Sequence, residues 1–249
     1  GHKGKEYEVQ LSETTSLENP FEVLTSASVN GANESDQHQV KPTLEQTQRT
    51  CGKAPEEMLA DCGFASGANI VMAKEEFGTQ LKAPIGSKES EKYLPLGEFE
   101  FDEPGEEVLQ CPAGEAPVRH QESRSGKAIL AVFSAQACRA CRMRHICPVE
   151  KRRDGRYLRI TKADVAVARR RAEQETKEFK ERYKYRSGIE ATNSELKRCH
   201  GLGKLRVRHK PRVNLAVRLK ALALNIKRYM AHLTELAIDA AGQAPACAC

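Results

Sequence analysis

An alternation of strand-like and helix-like segments over the first third of the sequence constrains the fold more than any other feature. Tyr7, Val9 and Leu11 share one face of a period-two pattern, and a second alternating run follows a turn-rich stretch, so an antiparallel hairpin is predicted. Ser66 and Gly78 are residue types that begin and end helices. The predicted elements are strands at 5–11 and 21–29, a helix at 35–51, a strand at 57–60, a helix at 66–77 and a strand at 80–83. This order predicts an α/β sheet.

The pattern changes at Pro84. Residues 86–110 carry eight acidic side chains against two lysines, and short strands are predicted at 98–102, 108–111, 128–133 and 156–161. From Lys162 the sequence is predicted to be helical to about Arg198, and a last helix is predicted at 213–236. We therefore predict four regions: the first part of an α/β core at 1–85, a β-rich insertion with a cysteine cluster at 86–160, a helical completion of the core at 161–236, and a disordered tail at 237–249.

The last predicted helix has large apolar side chains spaced alternately by four and three residues. Because this spacing places them on one side of a helix, they are predicted to face the core. They are Leu215, Leu219, Leu222, Ile226, Tyr229 and Leu233.

The net charge of +6 conceals an asymmetry between the two parts of the chain. Residues 1–150 hold 15 Lys and Arg against 24 Asp and Glu, whereas residues 151–235 hold 25 against 9. A basic region of this size favours a nucleic-acid partner. The alternative is a solvated helical surface.

The sequence has no apolar run long enough for a transmembrane helix, and its first residues have no apolar stretch of a secretory signal. We therefore expect a cytoplasmic protein without a membrane partner. Its nine cysteines are then expected to be reduced, and clustered ones suggest a metal before a disulfide.

One segment has a spacing with chemical meaning. Tyr183, Arg186, Glu190 and Lys197 follow the pattern Tyr-x2-Arg-x3-Glu-x6-Lys. On one continuous helix they would fall within an arc of about 60°, which presents a carboxylate beside an aromatic hydroxyl and two cations. A salt-bridged surface helix is the alternative, because Arg186 and Glu190 are four residues apart.

This pattern resembles the signature of insertion-sequence transposases of the IS-four-like superfamily. The run Leu59-Ala-Asp-Cys-Gly-Phe64 resembles the Ala-Asp-x-Gly-Tyr block of the same family, with Phe64 in place of the usual Tyr. The segments Phe101-Asp, Cys111-Pro-Ala-Gly and Cys138-x2-Cys141-x5-Cys147 resemble the inserted region of one branch. The resemblance spans residues 1–235 and implies an RNase H-like mixed sheet with flanking helices.

The resemblance also implies a reaction. Asp61 and Glu190 would be the second and third members of an Asp-Asp-Glu triad that binds two Mg²⁺ ions, which clamp the attacking and leaving oxygens of a phosphodiester. Arg186 and Lys197 would hold DNA phosphates, and Tyr183 would bond a phosphate or brace the helix. The first aspartate is expected upstream of Gly1, so the chain as given is expected to be catalytically incomplete. The implied partners are transposon ends and target DNA, held by a homodimer.

Four cysteines have spacing suited to zinc. Cys138 and Cys141 form a CxxC pair, Cys147 follows, and Cys111 precedes. Four thiolates can close a tetrahedral Zn²⁺ site, in which His145 could replace one of them. The alternative is four free or buried thiols.

The segment 197–212 contains seven Lys and Arg and two His. Its cations suit phosphates and its few aromatics argue against base stacking, so it is predicted to lie along duplex DNA. The predicted contacts are Lys197, Arg198, Lys204, Arg206 and Arg208.

Two other functions remain possible. One is an inactive transposase remnant that only binds DNA. The other is a zinc-dependent DNA-binding module in which the helix pattern is coincidental; there, removal of Cys138 and Cys141 would abolish DNA binding and Glu190→Gln would leave all activity unchanged.

Overall fold

The structure, a computed structural model, describes residues 7–16, 18–89 and 91–242. Its strands are β1 (Tyr7–Glu13), β2 (Leu24–Gly31), β3 (Glu57–Leu59), β4 (Gln80–Lys82), β5 (Glu100–Phe101), β6 (Val108–Gln110), β7 (Arg119–Glu122), β8 (Ile129–Phe133), β9 (Glu150–Arg152) and β10 (Gly155–Ile160). Its α-helices are α1 (Val40–Cys51), α2 (Gly67–Phe77), α3 (Ala135–Ala140), α4 (Lys162–Gln174), α5 (Lys177–Tyr183), α6 (Gly188–Cys199) and α7 (Lys210–Gly242).

The chain divides into two compact units, residues 1–55 with 184–249 and residues 56–183. Among the described residues the strands form four separate sheets, β1–β2, β3–β4, β5–β6 and β7–β8–β10–β9. The mixed α/β class is confirmed, whereas the RNase H-like sheet stays a prediction. No helix in the described part is both long enough and apolar enough to span a bilayer.

The first unit is built on the predicted hairpin. β1 and β2 pair antiparallel, with Val9 opposite Val29 and Leu11 opposite Ala27, as the alternating pattern indicated. Residues 5 and 6 of the predicted first strand lie outside the described residues. α7 packs on β2, and the amide of Asn225 accepts from Leu24 N and donates to Leu24 O at 2.9 Å each. The buried core residues are Leu24, Ala27, Val29, Leu196, Leu202, Val213, Val217, Ala221 and Leu224.

The face of α7 that packs on the core is not the predicted one. The stripe Leu215, Leu219, Leu222, Ile226, Tyr229 and Leu233 is exposed, with 39% to 59% of each residue accessible. Val213, Val217, Ala221 and Leu224 are buried instead, and three of these four side chains are smaller than leucine. Val and Ala permit a close approach of the helix to β2, and this decided which face turned inward. α7 is also longer than predicted: residues 237–242 of the expected disordered tail are helical, and residues 243–249 lie outside the described residues.

The second unit begins with a β-α-β segment. β3 and β4 are parallel and are connected by α2, which Ser66 caps by accepting from Asn69 N at 3.1 Å. Gly78 ends α2 in the left-handed conformation, at φ 68°. Both ends of α2 therefore match the sequence prediction.

Helix α4 packs directly on α2. A Cβ atom on Gly67 would lie 2.1 Å from the carbonyl oxygen of Ala163, so the two backbones touch where no side chain fits. Arg170 of α4 is buried and donates to Leu81 O at 2.8 Å. Burial lowers the pKa of this guanidinium, and Glu173 and Glu57 partly oppose that effect.

The rest of the second unit is rich in short strands. β8 and β10 pair antiparallel at the centre of the four-stranded sheet, with β7 and β9 at its edges. The strand patterns predicted near residues 98–102, 108–111, 128–133 and 156–161 all correspond to observed strands, while β7 and β9 had no clear pattern. Strands β7 and β9 are mostly polar, which explains why apolar alternation did not reveal them.

Candidate functional site

Glu190 lies in the first turn of α6, and its side chain is 63% exposed. The opposite face of this helix is buried through Thr192 and Leu196. A carboxylate near a helix N-terminus is stabilised by the helix dipole. Glu190 is therefore held by a packed helix and presented to solvent.

Two cations flank this carboxylate. Arg186, in the single-turn helix before α6, donates from Nη1 to Glu190 Oε1 at 2.9 Å. Lys197 is exposed seven residues after Glu190, two turns along the same face of α6. The ion pair between Arg186 and Glu190 that the surface-helix alternative predicted is therefore present. It also places a guanidinium beside an exposed carboxylate.

A buried ionic network packs behind α6. The carboxylate of Glu13, whose side chain is 7% exposed, accepts from Thr192 Oγ1 at 2.6 Å and from Arg228 Nη1 at 3.2 Å. Arg228 Nη2 also donates to Thr192 Oγ1 at 2.6 Å. These contacts join β1, α6 and α7 and fix the rotation of α6. Sequence reasoning missed them because nothing in the local pattern distinguishes Glu13 from a surface glutamate.

The basic segment after α6 is anchored at one point and exposed elsewhere. Leu202 is buried, and its N–H bonds Leu196 O at 2.9 Å. No Asp or Glu occurs in the sequence between Glu195 and Glu235. Six exposed cations of this segment form no ion pair within the described residues. They are Lys197, Arg198, Lys204, Arg206, Arg208 and Arg212. Their charge is therefore available to an external anion.

Asp61 is exposed immediately after β3, where it precedes a single turn of 3-10 helix. The backbone before it is fixed on both sides: Ala60 N bonds Lys82 O at 3.1 Å, and Tyr183 Oη donates to Ala60 O at 3.0 Å. The Tyr183 ring stacks on Phe179 with centroids 5.5 Å apart. Tyr183 thus braces the residue that precedes Asp61.

The region predicted to be helical from Lys162 to about Arg198 is largely helical, but the single continuous helix assumed for Tyr183 to Lys197 is wrong. The segment forms α4, α5, a 3-10 turn at Lys184–Ser187 and α6. Tyr183 ends α5 in the second unit, whereas Arg186, Glu190 and Lys197 belong to the first unit. The four residues therefore do not share one helical face. Tyr185, in the 3-10 turn, is 40% exposed.

The four cysteines of the predicted zinc site line one cavity of about 280 Å³ in the second unit, together with Arg144 and Arg156. Burial raises the pKa of Cys138, and the nearby thiols of Cys147, Cys111 and Cys141 raise it further. Burial also raises the pKa of Cys147, while the N–H of Val149 bonded to it lowers that pKa.

These thiols do not form the expected tetrahedral ligand set. Among the residues that the structure describes, no three His, Cys, Asp or Glu side chains form a group that could hold a metal ion. Zn–S bonds of about 2.3 Å require the sulfurs to converge on one point, whereas here they surround an open cavity. His145 lies outside the lining of this cavity; its ring nitrogen accepts from Arg144 Nε at 3.1 Å.

Comparison with protein families identifies part of the chain. Residues 110–230 match the family model described as a transposase DDE domain. The matched segment includes Glu190, its flanking cations and the four cysteines, and it supports a DDE transposase. No curated protein and no solved structure matches the chain.

Proposed function

We propose that this chain is part of a DNA transposase of the DDE type, which cuts DNA at the ends of an insertion sequence and joins the freed 3′-hydroxyl to target DNA. The observation that carries this proposal is the exposed Glu190 carboxylate between Arg186 and Lys197, followed by exposed cations that form no ion pair within the described residues. The family match over residues 110–230 supports the same reaction class.

In this proposal Asp61 and Glu190 each supply a carboxylate to Mg²⁺, which needs few protein ligands because it retains waters and phosphate oxygens. Mg²⁺ would neutralise the charge that develops on the phosphate during cleavage. When a metal is bound, Arg186 is expected to turn from Glu190 towards a DNA phosphate, which it can bind with two parallel hydrogen bonds. Tyr183 keeps a positioning role through Ala60.

The proposed partner is double-stranded DNA, contacted through Lys197, Arg198, Lys204, Arg206 and Arg208. Each phosphate that the protein neutralises releases counterions. The logarithm of the DNA-binding constant therefore falls more steeply with the logarithm of salt concentration, by about 0.9 in slope for each phosphate. A homodimer would hold two DNA ends, and the protein would associate with the nucleoid.

The test of catalysis is Mg²⁺-dependent strand transfer by the protein expressed from its natural open reading frame. Glu190→Gln is expected to abolish joining and to leave DNA affinity within about twofold, because one exposed charge affects affinity weakly. Glu45→Gln, at an exposed glutamate on α1, is the matched control and is expected to join DNA normally. Equal joining by the Glu190→Gln variant and the parent would refute the catalytic role.

The second candidate is a remnant that binds DNA without cutting it, and the same unpaired cations favour it. It predicts no strand transfer by the parent protein, with a salt-dependent affinity that the triple variant Lys204→Ala, Arg206→Ala and Arg208→Ala weakens. In that variant the salt slope is expected to fall by about one for each phosphate that the protein no longer binds. An unchanged slope would exclude this segment as the DNA-binding surface in either function.

A structural zinc at Cys111, Cys138, Cys141 and Cys147 is proposed separately, supported by their shared cavity and by two arginines that would offset the charge of a zinc thiolate centre. Binding would require the side chains to rotate inward. The test is the zinc content of purified protein against that of a Cys138→Ser, Cys141→Ser variant. Equal zinc content would refute the site, and loss of DNA binding in the variant alone would favour the zinc-dependent DNA-binding module.

A further inference from the structure

The outward face of α7 is an apolar stripe of unusual regularity. Its large side chains follow one another at spacings of 4, 3, 4, 3, 4 and 3 residues over three heptads, and Met230 widens the stripe beside Tyr229. This is the repeat of a helix that packs against another helix along a seam. The seam residues are Leu215, Leu219, Leu222, Ile226, Tyr229, Leu233 and Leu236, each 39% to 59% exposed.

The stripe is large enough for a stable interface. Eight large apolar side chains about half exposed leave on the order of 800 Å² on one copy, close to what each partner buries in a standard protein interface. Monomeric soluble proteins rarely expose a contiguous apolar patch of that size. The inward face of α7 is already used, through Val217 and Leu224, so the two faces have separate roles.

Small residues beside the seam leave room for a partner. Ala216 and Ala223 border a groove of about 360 Å³ on this face, together with Leu219, Lys220 and His200. In a helical seam each large side chain inserts between four residues of the facing helix. The groove is the kind of recess into which a leucine of the facing helix fits.

The charges of α7 indicate which helix it fits. Residues 210–228 contain six Lys and Arg and no acid, whereas residues 229–242 contain Glu235 and Asp239 and no Lys or Arg. Two copies aligned in parallel would set the basic halves against each other. Two antiparallel copies would set each basic half beside an acidic half, and the seam would stay in register because Leu219 would face Leu236 and Ile226 would face Tyr229.

We propose that the outward face of α7 binds the same face of a second copy of this chain, with the two helices antiparallel. This inference rests on the proposed function only in naming the surface of its homodimer. The experiment is run without DNA, so its failure and the failure of the DNA-processing proposal are distinguishable.

The experiment is sedimentation equilibrium of the chain over about 1–100 µM. The parent is expected to form dimers, and Leu222→Gln with Ile226→Gln is expected to raise the dissociation constant at least 100-fold. Both side chains are half exposed, so this variant should keep the helical circular dichroism of the parent. Leu109→Gln, at a residue 50% exposed in the second unit, is the matched control and should leave the constant unchanged.

The orientation is tested by reversing charge in the acidic half, with Glu235→Lys and Asp239→Lys. Antiparallel pairing predicts a dimer at least tenfold weaker in affinity at low salt, largely restored by added salt, because the new lysines would face the basic half of the partner. No effect of the reversal would overturn the antiparallel arrangement. A parent that stays monomeric, or a seam variant that dimerises like the parent, would overturn the inference and leave another segment of the natural reading frame as the cover of this face.

Discussion

Replacing Arg228 by Met should destabilise the first unit through the charge left behind at Glu13. The Glu13 side chain is only 7% exposed, and its partners are the Arg228 guanidinium at 3.2 Å and the Thr192 hydroxyl at 2.6 Å. Breaking a buried ion pair from one side costs about 3–5 kcal/mol. Because Arg228 is 19% exposed, water can take the place of part of the guanidinium, and a destabilisation of about 3 kcal/mol is expected.

The assay is urea unfolding together with native-state hydrogen exchange. The two units can unfold separately, so exchange locates the effect: amides of α6 and α7 should exchange faster, while those of α2 and α4 should not. The double variant Glu13→Gln, Arg228→Met should recover part of the stability, with a coupling energy of about 1–3 kcal/mol.

A matched control removes a cation from an exposed pair. Lys210 lies 3.5 Å from Glu34 on the surface, and Lys210→Met is expected to cost less than about 1 kcal/mol. If Arg228→Met costs no more than this control, or if the double variant shows no coupling, the carboxylate is not held by the guanidinium and the account of how α6 is oriented is wrong.

Three further predictions concern the second unit. Tyr183→Phe keeps the ring but removes the bond to Ala60 O, and should cost about 0.5–1.5 kcal/mol in urea unfolding; strand transfer should fall with it, whereas unchanged transfer would limit Tyr183 to stability. Ser66→Ala removes the N-cap of α2 and should lower the free energy of unfolding by about 1 kcal/mol in the same assay. An unchanged free energy of unfolding would show that the cap does not stabilise α2. The thiols of Cys138 and Cys147 have folded pKa values raised above their ordinary 9.0, so the unfolded state loses these protons first. Stability should therefore be full below pH 9 and decline as pH rises above it, and a pH series on a Cys138→Ser, Cys147→Ser variant should show a flatter decline.

Local signals predicted the elements that local contacts form. Ser66 and Gly78 bound α2 because a hydroxyl acceptor and a left-handed glycine act within a few residues of the chain. The β1–β2 hairpin could also be predicted, because alternating apolar residues on both sides of a turn-rich stretch indicate antiparallel pairing.

The features that the sequence did not reveal depend on distant partners. The apolar spacing on α7 is compatible with a stripe that faces the core and with a stripe that is exposed. The fit of Val217 and Ala221 against β2 decides which face of α7 is buried. The break between α5 and α6 likewise has no proline or glycine run; Tyr183 instead ends α5 where its hydroxyl reaches Ala60. Of the candidate site, the exposure of Glu190 and its pair with Arg186 could be predicted, whereas the buried Glu13 behind α6 could not.

The contact of Gly67 with Ala163 has a mechanical consequence. Where two helices meet backbone to backbone, there is no side chain whose rotamer could absorb a displacement. α2 and α4 must therefore shift as one body, and α2 starts only six residues after Asp61. A force that displaces α4 would therefore displace α2 as well, close in sequence to the turn that presents this carboxylate.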